Sequence, residues 1–272
     1  MAFFNIYPPS PKLAAIVDYY WRSVATLAES LVQDVPTPLM QGITFNLGGL
    51  KEEMVFADRT LEMTTHSYFF GQPMAHRLSM SNQRGIDILG IKLKPSAIYV
   101  LTGVDMHHLV DDIVPIEDVW PKMEVRALCE TLHACWEARS MIDTLERFLL
   151  GKLREREALT KDPRILLAAT GMETLRWNSV ADIKEFTCFS ERSLERHFKQ
   201  RMGMSPKTYL RVCRFNAVKA RLDQTPSCSW QELAFTSGYY DQSHFIKEFK
   251  RFSGKTPGEY LAHANAAAAS FF

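Results

Sequence analysis

The apolar positions of this chain change period twice, and each change predicts a different kind of structure. After a Pro-rich start (Pro8, Pro9, Pro11), Leu13 to Ser23 carries apolar residues at helical spacing and predicts a helix. From Gln41 to Leu93 the period shortens to two. Ile43, Phe45 and Leu47 alternate with Thr44 and Asn46, and Leu89, Ile91 and Leu93 share one face of a strand. Brief runs at Met54–Ala57, Ser67–Phe70 and Arg77–Met80 predict further strands, with Gly48-Gly49, Gly71, Gly85 and Gly90 as turns or bulges. Beyond Pro95 the period becomes helical, predicting helices at 95–102, 105–110, 122–136 and 139–156. The last carries Ile142, Leu145, Phe148, Leu149 and Leu153 as a stripe at i, i+3, i+4 spacing, which reads as core, and Trp21 and Trp120 read the same way.

The charged stretch Lys152–Asp162 marks a boundary, and Asp162-Pro163 reads as an N-cap followed by a first-turn proline. The expected organisation is an N-terminal sensor or oligomerisation domain at 1–156, an all-helical domain at 163–263 and a tail at 264–272. The fold class is α+β, strands first and helices after.

Charge sharpens this division. The 272 residues carry a net charge of only +1, but residues 1–159 hold 15 Lys/Arg against 20 Asp/Glu, and residues 160–272 hold 17 against 11. The second part is therefore basic enough to approach phosphate, and the first is not. The start of the chain lacks the pattern of a signal peptide, and no run reaches the roughly 18 apolar residues of a membrane span. The five cysteines (Cys129, Cys135, Cys188, Cys213, Cys228) lack C-x-x-C spacing, which predicts reduced thiols and a cytoplasmic location.

The basic part repeats itself. FKQRMGMSPKTYL (Phe198–Leu210) matches FKRFSGKTPGEYL (Phe249–Leu261) at an offset of 51, so one structural unit is used twice. In the first copy Val180–Phe186 is a short helix, Thr187-Cys188-Phe189 a turn, and Ser190 the cap of a helix running to Met202. In the second, Trp230–Thr236 is the short helix, Ser237-Gly238-Tyr239 the turn, and Asp241 the cap of a helix running to Phe252. Gly203 and Gly254 stand where left-handed C-caps end the long helices. Two helices joined by so short a turn form a helix-turn-helix. Leu194, Phe198, Phe245 and Phe249 should point inward. The outward face then carries Arg192, Glu195, Arg196 and Lys199 in the first copy, and Gln242, Ser243, His244 and Lys247 in the second. Arg and Lys favour guanine and Gln favours adenine, so these eight are the candidate DNA-binding residues. Glu195 either accepts from a cytosine amine or orients Arg192 or Arg196, the local ion pair being preferred. His244 reads equally as a DNA contact or a plain surface histidine.

With these segments in hand, SERSLERHFKQRMGMSPKTYLRVCRF (Ser190–Phe215) and SGYYDQSHFIKEFKRFSGKTPGEYL (Ser237–Leu261) resemble the DNA-binding domain of AraC/XylS-type transcription regulators. The resemblance implies two helix-turn-helix units joined by a linker helix at about Pro206 to Leu222, with both recognition helices entering successive major grooves. Lys184 and Cys188 depart from the small Ala and the Gly usual in that family, which implies a looser or re-aimed first unit. Lys247 keeps the charge of the more frequent Arg without its fork. The segments PSPKLAAIVDYYWRS and Gly90–Trp120 resemble the sensor domain of one subset of these regulators, implying a cupin-like β-rich domain with trailing helices.

The function expected from this is a sequence-specific DNA-binding transcription regulator, an activator. Its expected partners are double-stranded DNA and RNA polymerase, with a small-molecule effector and a homodimer as further expectations. The first domain is expected either to enclose an apolar cavity between the strands at Ile43–Leu47 and Gly85–Leu93, or to be a packed scaffold with a dimer surface on Ile142–Leu153. A helical adaptor that has lost DNA reading is the alternative. No enzyme is expected: no G-x-S-x-G elbow is present, and no cysteine sits in a polar motif. No cofactor or metal is expected either. His107-His108 with Asp111-Asp112 lacks a supporting set of strand-borne ligands, and His66 and His76 are isolated.

Overall fold

The computed structural model describes residues 2–26, 31–34, 41–48, 52–55, 60–63, 65–71, 79–82, 85–156, 162–224 and 230–262. The strands are β1 (Ala2–Tyr7), β2 (Val17–Thr26), β3 (Leu31–Asp34), β4 (Gly42–Asn46), β5 (Glu52–Val55), β6 (Thr60–Met63), β7 (Ser67–Phe70), β8 (Ser79–Asn82), β9 (Gly85–Leu93) and β10 (Ile113–Pro115). They form a six-stranded sheet in the order β1-β2-β9-β4-β7-β10 and a four-stranded one in the order β3-β8-β5-β6. Every described pairing is antiparallel.

Register places the alternating residues as their pattern demands. Ile91 stands opposite Tyr20 and Ile43, Ile43 opposite Phe69, and Leu89 opposite Phe45. This face is closed by helices α1 (Ala97–Thr102), α2 (Lys122–Ala134) and α3 (Ala138–Glu155), whose Ile98, Leu132, Ile142, Leu145 and Leu149 join it in one buried cluster. The expected cavity wall at Ile43, Phe45, Leu89 and Ile91 is thus a sheet–helix core. Ile142, Leu145 and Leu149 of α3 face inward into this core, and Phe148 and Leu153 are partly buried against it. Trp120 sits between Phe69 and Phe148, at 4.8 and 5.1 Å between ring centroids. Trp21 lies over Gly90, where any Cβ would come within 2.1 Å of the indole.

The predicted helix at Leu13–Ser23 is not formed. One turn, with the Val17 N–H donating to the Leu13 carbonyl at 2.8 Å, leads into β2, whose pairing with β9 slips between Val17 and Tyr19. Leu13, Ile16, Val17 and Tyr20 are all buried. The helical spacing therefore reports real burial, produced by a turn and a β-bulge. Predicted helix 105–110 is a 3-10 turn at Met106–His108, and strand Arg77–Met80 is Ser79–Asn82, residues 77–78 lying outside the described set. Met54–Ala57 appears as Glu52–Val55, with 56–57 likewise outside it. The tail 264–272 and Cys228 are also outside it.

The helical part holds α4 (Arg164–Glu173), α5 (Val180–Thr187), α6 (Glu191–Met202), α7 (Pro206–Gln224), α8 (Trp230–Thr236) and α9 (Gln242–Ser253) around a second buried cluster. Pro163 occupies the cap position of α4, with Asp162 accepting from the Arg164 N–H at 3.1 Å. No described helix is long and apolar enough to cross a membrane.

Candidate nucleic-acid interface

The repeat in sequence is a repeat in structure. The helices α6 and α9 each have 12 residues and begin on a side-chain cap: Ser190 accepts from the Ser193 N–H at 3.2 Å, and Asp241 from the His244 N–H at 2.7 Å. Each such cap satisfies one of the free N–H groups of a first turn. Both helices end on a left-handed glycine, Gly203 at φ 78° and Gly254 at φ 72°. Phe198 meets Tyr209 edge-on at 5.9 Å, and Phe249 meets Tyr260 edge-on at 5.6 Å.

Each unit is completed by its shorter helix. Ser179 and Asp182 form a reciprocal capping box at the start of α5. Cys188 then ends α5 in the left-handed region at φ 56°, and its counterpart Gly238 ends α8 at φ 75°. The second turn is one residue longer, the extra residue Tyr240 being almost fully exposed. The departures at Lys184 and Cys188 are accommodated locally: Lys184 reaches Glu191 at 3.5 Å, and Cys188 takes the conformation that glycine takes in the other unit. A side chain in that region is strained by about 1–2 kcal/mol. Cys188→Gly should therefore raise stability by up to about 1 kcal/mol, after allowing for the looser unfolded chain. Thermal unfolding checks this, and a lowered midpoint would show that the thiol's 3.5 Å contact with the Glu185 carbonyl outweighs the strain.

Burial sets the outward face. Leu194, Phe198 and Met202 of α6 and Phe245, Phe249 and Phe252 of α9 are buried, one helical turn apart. All eight candidate residues, Arg192, Glu195, Arg196, Lys199, Gln242, Ser243, His244 and Lys247, are solvent-exposed. Among the described residues Glu195 makes no ion pair with Arg192 or Arg196. The His244 ring stands edge-on to Tyr239 at 5.6 Å.

Several residues that position these helices carried no signal in the pattern of the chain. Arg164 grips Asp162, lies 4.1 Å from the Phe189 ring centroid and donates to the Thr187 carbonyl. Its hydrogen bonds hold the Asp162 carboxyl at about 2. Arg214 of α7 donates to the Asn178 carbonyl at 2.6 Å and lies beside Gly238, touching both units. Arg211 of α7 makes a two-pronged ion pair with Glu248 of α9. Arginines at helical spacing on a surface look alike in sequence whether they face solvent or a buried carboxylate, so only the packing separates them.

No group of three or more His, Cys, Asp or Glu among the described residues is placed to hold a metal. The His107 and His108 rings lie tilted against each other at 4.0 Å, and Asp112 accepts from the Ile113 N–H. Burial pushes the Cys129 and Cys213 thiols up from their ordinary value, the reverse of what a nucleophile requires.

Residues 185–263 match a family model described as a helix-turn-helix domain, and residues 5–115 match a domain of unknown function (DUF6597). The chain is 38% identical over 88 residues to the HTH-type transcriptional activator RhaS of Escherichia fergusonii, covering 32% of this chain and 30% of that protein. It is 35% identical over 78 residues to the HTH-type transcriptional regulator ArgR of Pseudomonas aeruginosa, covering 29% and 23%. The match thus spans less than a third of these relatives. Among solved structures, ToxT from Vibrio cholerae covers 89% of this chain and 97% of its own, at 14% identity and a TM-score of 0.48. With its duplicated caps, its paired left-handed glycines and the match over 185–263, the C-terminal part of this chain is a helix-turn-helix domain.

Proposed function

We propose that this protein is a sequence-specific DNA-binding transcription regulator, an activator working in the cytoplasm, whose α6 and α9 read successive major grooves of one duplex. The observation that carries the reading is the duplicated unit, each copy exposing polar and charged residues opposite a buried apolar face. Arg192, Arg196, Gln242 and Lys247 are assigned to base edges, Lys199 to phosphate, and Glu195, Ser243 and His244 to the margins of the contact. Residues 163–263 form the DNA-binding domain and residues 1–156 the domain that modulates it, by sensing a small molecule or by self-association. The remaining partner is RNA polymerase; the similarity to RhaS, itself named an activator, supports that direction.

A footprint tests the reading. The full chain should protect about two helical turns, roughly 20 base pairs, because each unit occupies one major groove. Arg196→Ala and Lys247→Ala should each weaken specific binding by about 1–3 kcal/mol and random-sequence binding much less, whereas Lys199→Ala should weaken both alike. Protection of a single turn would leave one unit idle. No protection on any duplex would return the helical-adaptor reading.

A further inference from the structure

The two recognition helices share length and caps, yet they are held in place differently. In α9, Glu248 pairs with Arg211 of the linker helix α7 at 2.5 and 2.7 Å. Phe252 packs against Phe215 of the same helix at 5.5 Å, with the Arg211 guanidinium 5.7 Å from its ring centroid. The C-terminal half of α9 is thus fixed from α7.

The positions 51 residues earlier are His197 and Arg201, and neither repeats this arrangement. His197 lies tilted against Phe189 of its own unit, 4.8 Å between ring centroids. Arg201 turns towards the first domain, donating to the Asp162 carbonyl at 3.0 Å and covering the ring of Tyr99 in α1 at 5.5 Å. Two residues on, Gly203 backs onto the segment around the 3-10 turn. A Cβ there would lie 2.6 Å from Val110 Cγ2 and 3.1 Å from the Met106 carbonyl oxygen. A second link also lands on the first unit's side: Glu173, at the end of α4, accepts from the Tyr209 hydroxyl at 2.9 Å and faces Lys92 of β9.

We propose that the N-terminal domain positions α6 through Tyr99, Met106 and Val110, and so acts on the half-site read by the first unit, while Arg211–Glu248 sets α9 independently. This rests on the DNA-binding reading above. The grip is at the C-terminal end of α6, which leaves Arg192 and Arg196 on its first two turns free to enter a groove. A hydrogen bond to a base edge weakens steeply once distance and angle leave a narrow range. Tilting α6 about its held end therefore changes base reading in one half-site without touching the other.

The full chain is used to select a duplex from a random-sequence pool, and hydroxyl-radical protection is read on each half. Arg196→Ala and Lys247→Ala assign the halves to α6 and α9 by which protection each removes. Tyr99→Leu and Val110→Asp should each weaken the α6 half about tenfold and leave the α9 half within about twofold. Tyr99→Phe keeps the ring face and should match the unaltered protein. Arg211→Ala should weaken the α9 half instead. Thermal unfolding is measured alongside; the two substitutions break the contact by different means, so a folding defect in one leaves the other to decide. Equal losses on both halves, or no loss on either, overturns the proposal. If the unaltered chain selects no duplex, the DNA-binding reading fails and this inference falls with it.

Discussion

Raising the salt concentration from about 50 to about 200 mM should weaken binding of the full chain to duplex DNA by about a thousandfold, as for proteins that make six or more phosphate contacts. The expectation follows from where the charge lies. Residues 160–272 carry 17 Lys/Arg against 11 Asp/Glu, while the rest of the chain is acidic. Arg192, Arg196, Lys199 and Lys247 are all exposed on the two recognition helices. Each phosphate neutralised releases condensed counterions, and that release becomes less favourable as bulk salt rises. A plot of log affinity against log salt should be linear, and Lys199→Ala should lower its slope by about one. Affinity that stays flat across this range would mean that the basic face does not meet phosphate.

Phe249→Ala should lower the stability of the helical domain by about 3–5 kcal/mol, the range for deleting a buried aromatic ring. Phe249 is fully buried and meets Phe215 at 5.1 Å, Phe245 at 5.9 Å and Tyr260 at 5.6 Å. It therefore joins the linker helix, the recognition helix and the segment after Gly254. A cavity left there removes contacts from all three, and the protection assigned to α9 should be lost with them. Phe198→Ala in the other unit removes one such ring contact, with Tyr209 at 5.9 Å, and should cost less. Urea unfolding followed by tryptophan fluorescence gives both values, with the two cores tracked as separate transitions. A cost below about 1 kcal/mol for Phe249→Ala would show that the three elements close over the gap.

The two helix-turn-helix units were legible in the sequence to within a residue or two, because their signals act within a few positions of one another, whereas the extent of α4 was not. Ser190 and Asp241 cap their helices through an N–H three residues away. Gly203 and Gly254 end them by a backbone conformation that glycine adopts freely. Leu194, Phe198, Phe245 and Phe249 face inward because four residues make about one turn. Tertiary structure alone decided what depends on distant partners. The segment from Leu13 to Ser23 has the spacing of a helix, but strand β2 takes its place between β1 and β9, the latter about seventy residues on, and a strand has no ladder hydrogen bonds until its partners arrive. The edge strand β1 depends in turn on β2. Arg201 and Arg211 are both arginines near one end of a helical segment. One lies over Tyr99 of the first domain and the other grips Glu248 thirty-seven residues away, because the fold brings a ring to the first and a carboxylate to the second. The sequence shows two equal reading helices. Their unequal attachment arises from contacts across the chain, which no local pattern encodes.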